Sequence, residues 1–371
     1  MRLAILGSRG YPSTYGGFET MVRRLAPWLA QEGFDVTVYC RAPGLRPRSE
    51  LVDGVRCVST PGAETKSLST LSFGFTAALD SLARGFDVVL VVNVANGFFL
   101  PIIQRRGVPA VVNVDGLEWE RAKWSPLGRR VFKSAARVTA RFARELIVDS
   151  RAIGRAWDDA FGRSGVFLPY GADVLPPRPA HRIEALGLER RRYALVVARL
   201  VPENNIALML DALDLLGDAV PAVVVGSANY DSPLEARLRG LVRSRPGFRW
   251  LGHVHDQELL ADLWAHCGVY LHGHSVGGTN PALLQALGAG GPTLALDTVY
   301  NREVIGADDQ LFPPDPAELA ARIKAVLGDA ALQDELAGRG RERVRTDYSW
   351  EAVCEGYASV LRALAVDRTR S

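Results

Sequence analysis

Residues 3–40, LAILGSRGYPSTYGGFETMVRRLAPWLAQEGFDVTVYC, decide how this chain folds. Residues 3–6 form a short apolar run, a glycine-rich stretch follows, residues 18–31 carry a helical pattern, and residues 36–40 are apolar again. Strand, glycine turn, helix and strand make a βαβ unit, and strands this continuously apolar belong to a parallel sheet covered on both faces. Working outward, further apolar runs at 55–59, 88–92, 110–114 and 146–149 alternate with helical patterns at 72–84 and 129–144. Residues 169–179, PYGADVLPPRP, break the alternation as an extended linker. It then restarts: strands at 193–198, 222–225, 248–251, 269–271 and 293–296, with helices at 206–216, 232–245, 256–266, 281–289 and 315–326. The expectation is α/β, two Rossmann-like doubly wound domains with a ligand cleft between them. Their limits are 1–172 and 173–350, and a final helix over 351–371 packs back on the first.

Composition narrows the classes. A chain of 371 residues that is 48% hydrophobic and 23% charged is too apolar for disorder and long enough for two cores. Its 44 basic and 41 acidic residues nearly cancel, unlike a dedicated nucleic-acid binder. Cys40, Cys57, Cys267 and Cys354 are far apart and form no C-x-x-C pair, which argues against a zinc site or disulfide framework and for a reducing compartment. The longest apolar stretch, 87–103, is interrupted by Asn93, Asn96, Gly97 and Pro101, so no spanning helix is expected. A soluble cytoplasmic protein follows.

In the first half, Gly7-Ser8-Arg9-Gly10 lacks the tight G-x-G-x-x-G of a dinucleotide fingerprint, and the second strand ends Tyr39-Cys40-Arg41 with no carboxylate for a ribose. Gly16 and Gly17 open a helix, where backbone N–H groups meet an anion or sugar; the same glycines also suit a plain turn. Asp115, before Gly116, lies just past a strand's carboxyl end, where ligand contacts concentrate in open sheets and where a turn-capping aspartate also fits.

In the second half, Arg199 emerges where a strand ends, and its planar guanidinium suits a diphosphate. Gly277-Gly278-Thr279-Asn280-Pro281 places glycines, an N-cap asparagine and a first-turn proline ahead of a helix. That geometry exposes N–H groups at the helix's positive end, an anion site.

The stretches GSRGYPSTYGGFET, VNVDGLEWERAKWS, LPYGAD, ARLVPENN, VGSANY, LGHVHDQELL, HSVGGTNPALLQALGAG and YNREVIG stand in this order from Met1 onward. Together they resemble retaining glycosyltransferases of the GT-B fold, glycosyltransferase family 4, in its rhamnosyltransferase-like branch. The resemblance implies that Arg199 meets the donor diphosphate, that Gly277, Gly278, Thr279 and Asn280 meet phosphates and donor sugar, and that Gly16 and Gly17 are the first domain's glycine loop. It places Asp115 beside the donor sugar, and His253 and Val254 on the loop framing the base. Two positions depart. Gln285 stands where the family's second signature glutamate is expected, leaving an amide for ribose hydroxyls, and Asn204 stands where many relatives have a lysine.

The implied reaction moves a sugar from a UDP- or dTDP-linked donor to an acceptor hydroxyl with retention, without a metal or other cofactor. The acceptor is a small molecule or lipid-linked, in polysaccharide, glycolipid or natural-product glycoside biosynthesis. A GT-B nucleotide-sugar epimerase and a non-catalytic sugar-nucleotide-binding homologue are the alternatives. From Arg129 to Arg144, Arg130, Lys133, Arg137, Arg141 and Arg144 share one helix face, with Val131, Ala135, Val138 and Phe142 as a neighbouring apolar stripe. That pattern suggests peripheral docking on the inner face of an anionic membrane.

Overall fold

In the computed structural model, which describes residues 1–12, 16–41, 48–65, 69–121, 124–228 and 233–370, the first apolar run becomes a central strand of an eight-stranded sheet. The elements in order are β1 (Arg2–Leu6), α1 (Gly17–Gln31), β2 (Asp35–Arg41), β3 (Arg48–Val52), β4 (Val55–Thr60), α2 (Ser69–Arg84), β5 (Val88–Val92) and α3 (Leu100–Ile103). Then come β6 (Ala110–Asn113), α4 (Pro126–Phe142), β7 (Glu145–Val148), α5 (Arg151–Phe161) and β8 (Val166–Phe167). The sheet order is β3-β4-β2-β1-β5-β6-β7-β8, parallel except for β3 against β4. Leu3 pairs with Val36 on one side and Val88 on the other, so the chain changes direction across the sheet between β1 and β5. That reversal is the switch point at which open sheets place ligands.

A second sheet follows. Its elements are α6 (His181–Glu184), β9 (Ala194–Val197), α7 (Ile206–Leu216), β10 (Ala222–Val225), α8 (Pro233–Ser244), β11 (Phe248–Trp250), α9 (Gln257–His266) and β12 (Val269–His272). They continue with α10 (Pro281–Ala289), β13 (Thr293–Leu296), α11 (Val299–Ile305), β14 (Leu311–Phe312), α12 (Pro316–Gly328) and α13 (Ala330–Asp347). The order β11-β10-β9-β12-β13-β14 is parallel throughout, with its switch point between β9 and β12. Sheet residues Val196, Leu271 and Leu294 pack under Met209 and Leu213 of α7 and Leu319 and Ile323 of α12, all nearly solvent-free. Each such burial contributes about 1.5–3 kcal/mol. The last helix, α14 (Trp350–Arg370), belongs with the first sheet and packs on α1 and β5. The two units are therefore Met1–Tyr170 with Trp350–Ser371, and Gly171–Ser349.

The basic helix needs correction. α4 starts at Pro126 behind the Ser125 N-cap and stops at Phe142, because Ala143 turns extended. Arg144 lies beyond it, its N–H donating to the Ala110 carbonyl, and so leaves the basic face. Ala135, Ala136 and Thr139 form the buried side, which takes Ala135 out of the expected apolar stripe, whereas Val131 is exposed.

Candidate active site

The second unit's site is assembled at its switch point. β9 ends at Val197; Leu200 is buried, and Arg199 between them is exposed. Among the described residues no carboxylate lies within ion-pair distance of its guanidinium. Asn204, in the following turn, is 2% exposed, and its amide nitrogen donates to the Arg199 carbonyl at 2.8 Å. This residue therefore braces the arginine's backbone.

After β12 the chain runs through Gly273 to Asn280 before α10. The Ser275 N–H and hydroxyl both donate to the Glu203 carbonyl at 2.9 Å, and Asn205 donates to the Gly273 carbonyl at 2.8 Å. These bonds tie the β12 loop to the β9 loop and bring the arginine turn beside the glycine loop. Gly277 has φ +103°, a conformation that side chains with Cβ rarely adopt. The Asn280 carboxamide oxygen accepts the Ala282 N–H at 2.9 Å and Pro281 takes the first turn, an N-cap of the kind read from the sequence. Gly277 and Gly278 are half-buried and Thr279 is buried. The remaining first-turn N–H groups and the helix dipole give this end a positive potential.

Two histidines here were not singled out from the sequence. His272 ends β12, and His274 stacks on it with ring centroids 4.3 Å apart. The Tyr270 hydroxyl lies 3.1 Å from His272 Nδ1. Burial, then the Arg199 charge, pushes the His274 pKa down to about 3; burial and His274 hold His272 well below the usual range. Both rings are neutral near pH 7, so positive charge in this corner rests with Arg199. The signal was the H-G-H spacing at a strand's carboxyl end.

His253 and Val254 lie past β11 at the sheet edge, where His253 meets the His255 ring at 4.2 Å. Gln285 is half-buried on α10, and its amide bonds no described residue. Tyr15, before the glycine pair, and Asn229 and Tyr230 of VGSANY lie outside the described residues.

The first unit has its own cluster. Gly16 caps α1 at φ +124°, and a Cβ there would collide with the Glu19 carboxylate. Glu19 is buried and accepts the Arg9 N–H at 2.9 Å. A Cβ on Gly17 would lie 3.0 Å from the Tyr170 hydroxyl. Burial, then the charges of Asp115 and Asp149, raises the Tyr170 pKa well above its ordinary value. The structure thus brings the glycine pair and Asp115 around Tyr170. Asp115 itself has φ +55°, its N–H donates to the Asn113 side-chain oxygen at 3.0 Å, and Arg121 lies 3.8 Å from its carboxylate. Asn113 also donates to the Tyr357 hydroxyl at 2.6 Å, linking β6 to α14. Sequence reasoning missed Asn113, Tyr170 and Tyr357.

Comparison with known proteins agrees with this architecture. Residues 16–171 match the family model described as "Glycosyl transferase 4-like domain", and residues 191–329 match "Glycosyl transferases group 1". The chain is therefore built from two glycosyltransferase domains in that order, on the GT-B fold. A phosphatidyl-myo-inositol mannosyltransferase of Mycobacterium tuberculosis is 27% identical over 228 residues, 57% of this chain and 58% of the relative. This chain thus spans a little over half of that relative's length. Sucrose-phosphate synthase from Thermosynechococcus elongatus superimposes with a TM-score of 0.83 at 20% identity over 99% of both chains. Anabaena HepE, solved in complex with UDP-glucose, gives 0.76 at 18% identity over 98% of this chain and 99% of its own.

Proposed function

We propose that this protein transfers a sugar from a UDP- or dTDP-linked donor to an acceptor hydroxyl. The observation that carries the reading is the exposed Arg199, with no carboxylate partner among the described residues, tied by the Ser275 and Asn205 hydrogen bonds beside the α10 N-terminus. A diphosphate satisfies both the guanidinium and the helix end. The UDP-glucose complex of a protein with this fold supports the choice of donor.

In the proposed step the anomeric carbon's bond to the phosphate oxygen breaks and a bond to the acceptor oxygen forms. Negative charge growing on the leaving diphosphate is met by Arg199 and the first-turn N–H groups of α10, electrostatic stabilisation already in place before reaction. The acceptor's proton passes to the departing phosphate oxygen on the same face, giving retention without a side-chain nucleophile or a metal. Gly277 to Asn280 hold phosphates and sugar, Gln285 offers its amide to the ribose, and His253 and Val254 frame the base. Asp115 contacts the sugar, and the first unit, through Gly16 and Gly17, takes the acceptor. The rhamnosyltransferase-like branch makes a dTDP-linked deoxyhexose one donor to test.

Leu127 is 70% exposed and Val131 37% exposed on the flank of α4 beside Arg130, Arg137 and Arg141. That flank supports docking of a cytoplasmic protein on an anionic membrane carrying a lipid-linked acceptor. No helix among the described residues is long and apolar enough to cross a membrane.

The test is incubation with a nucleotide-sugar panel and candidate acceptors, read by isotope transfer and by the anomeric configuration of the product. Transfer with a retained anomer is expected. Interconversion of the donor without acceptor would instead establish an epimerase, and binding without either reaction a non-catalytic homologue.

A further inference from the structure

The last helix, α14, packs on α1 and β5, and its buried face carries a hydroxyl that packing alone does not need. Val353, Cys354, Tyr357, Ala358 and Leu361 recur there at three- and four-residue spacing, and each is at most 3% exposed. Of these five, Tyr357 alone carries a hydroxyl. Its oxygen accepts the Asn113 amide nitrogen at 2.6 Å. Asn113 ends β6, is 1% exposed, and also turns this nitrogen toward Met21 Sδ at 3.9 Å. The carboxamide oxygen of Asn113 accepts the Asp115 N–H at 3.0 Å. One buried amide thus donates to the last helix and accepts from Asp115.

Asp115 has φ +55°, a left-handed conformation that residues with a Cβ adopt rarely and that persists where the surroundings hold it. The Asn113 oxygen holds it, an asparagine bonding the backbone two residues on. At the other end of Asp115, the carboxylate has Arg121 at 3.8 Å, and Arg121 is itself anchored on the buried Glu118 at 2.6 Å. Arg121 therefore acts on the head of the side chain, and Asn113 on the backbone that carries it. An amide suits this position because one planar group supplies both a donor and an acceptor. Without the Tyr357 hydroxyl, the buried amide nitrogen loses its oxygen partner, a costly state that the group relieves by swinging. Any swing takes the carboxamide oxygen away from the Asp115 N–H and frees the backbone that aims the carboxylate.

We propose that Tyr357 is a positioning residue for sugar transfer: through Asn113 it holds Asp115 in the conformation from which its carboxylate meets the donor sugar. The inference rests on the reading of the chain as a sugar transferase with Asp115 at the sugar, and adds to it a residue of the last helix that touches no reactant. Misplacing such a carboxylate by about 1 Å costs turnover, because the contact is aimed at the reacting sugar. UDP, which lacks the transferred sugar, does not feel the change.

Turnover of the full chain tests it, read as release of the nucleoside diphosphate from UDP-glucose or a dTDP-linked deoxyhexose, whichever wild type uses, with water as the acceptor in the absence of another. A calorimetric UDP titration runs beside it. Tyr357→Phe is expected to lower kcat about tenfold or more and to leave UDP affinity within about twofold of wild type. Asp115→Ala is expected to lower kcat at least as far. Adding Tyr357→Phe to Asp115→Ala should then change kcat by less than about twofold, because the two residues act in series. Cys354→Ala, one turn away on the same buried face, should lower the melting temperature and keep kcat within about twofold, which separates positioning from stability. Asn113→Leu combined with Tyr357→Phe removes both partners, so it should regain melting temperature over Tyr357→Phe alone while turnover stays low. The same pair makes the comparison if Tyr357→Phe alone does not fold. Wild-type turnover by Tyr357→Phe, an undiminished further loss in the Asp115→Ala background, or an equal loss in Cys354→Ala would overturn the positioning role and leave the transferase reading standing. Wild type that turns over no nucleotide sugar, whether or not it binds UDP, would overturn both.

Discussion

The Asn204 side chain donates its amide hydrogen to the carbonyl of Arg199 at 2.8 Å and is almost wholly buried in doing so. The position at which many relatives carry a lysine is thus occupied by a residue that holds the arginine turn from behind. Asn204→Lys therefore should not add a phosphate contact. It breaks a buried hydrogen bond, costing about 1–3 kcal/mol, and forces an ammonium group into a solvent-free position. A lower melting temperature and weaker donor binding are expected. A variant that melts as wild type and binds UDP more tightly would show that the side chain points toward the phosphates.

Gln285 behaves differently because it is half-buried and its amide bonds no described residue. Gln285→Glu is expected to leave the stability within about 0.5 kcal/mol of wild type. Facing a ribose, a carboxylate accepts stronger hydrogen bonds than an amide, so nucleotide-sugar binding should tighten. Calorimetry with the preferred donor decides it, and unchanged or weaker binding removes Gln285 from the ribose.

His274 gives the second unit a pH signature. Its pKa is about 3 in the folded state against 6.5 for the ordinary group, so the unfolded chain binds the extra proton between these values. Stability is then complete above about pH 6.5 and falls as the pH drops toward 3. His272, depressed in the same direction by burial, adds to the slope. Melting temperatures from pH 7 to 4 should fall less steeply for His274→Gln than for wild type. Parallel curves would mean that the ring is solvated.

The exposed flank of α4 makes a prediction about membranes. Leu127 and Val131 stand beside Arg130, Arg137 and Arg141, and each basic residue near anionic lipid contributes about 1 kcal/mol. Sedimentation with anionic vesicles at low salt, reversed at high salt and reduced in an Arg130→Glu, Arg137→Glu variant, is expected. Protein that stays in the supernatant at low salt takes a soluble acceptor.

Much of this molecule could be read from local sequence. Buried parallel strands such as 88–92 and 222–225 are apolar without interruption, and their limits match the structure. The α10 cap was legible because asparagine, proline and glycine each have a backbone reason to stand there. What escaped was short, polar or distant. β8 and β14 are two residues each, and β3 (RSELV) is an edge strand with a mixed pattern. α4 was extended too far because Arg144 keeps the helical charge spacing, while the backbone has already turned at Ala143 to enter β7. Asn113 and Tyr357 meet across 244 residues, a pairing that no local pattern encodes. Arg199 was visible as a strand-end cation, but the neutral His272–His274 stack beside it depends on burial, which only the folded sheet supplies.

The central claim is that Arg199 and the α10 N-terminus hold a nucleoside diphosphate. Calorimetric titration of UDP- and dTDP-sugars into wild type and Arg199→Ala tests it most directly. Arg199 is exposed and carries no ion pair with a described residue, so its removal should leave the melting temperature unchanged. The account predicts saturable binding by wild type, and in the variant a loss of about tenfold in affinity and about 100-fold in kcat/KM, as removal of ~3 kcal/mol of leaving-group stabilisation implies. A variant that binds and turns over within about threefold of wild type would place the diphosphate elsewhere and contradict it.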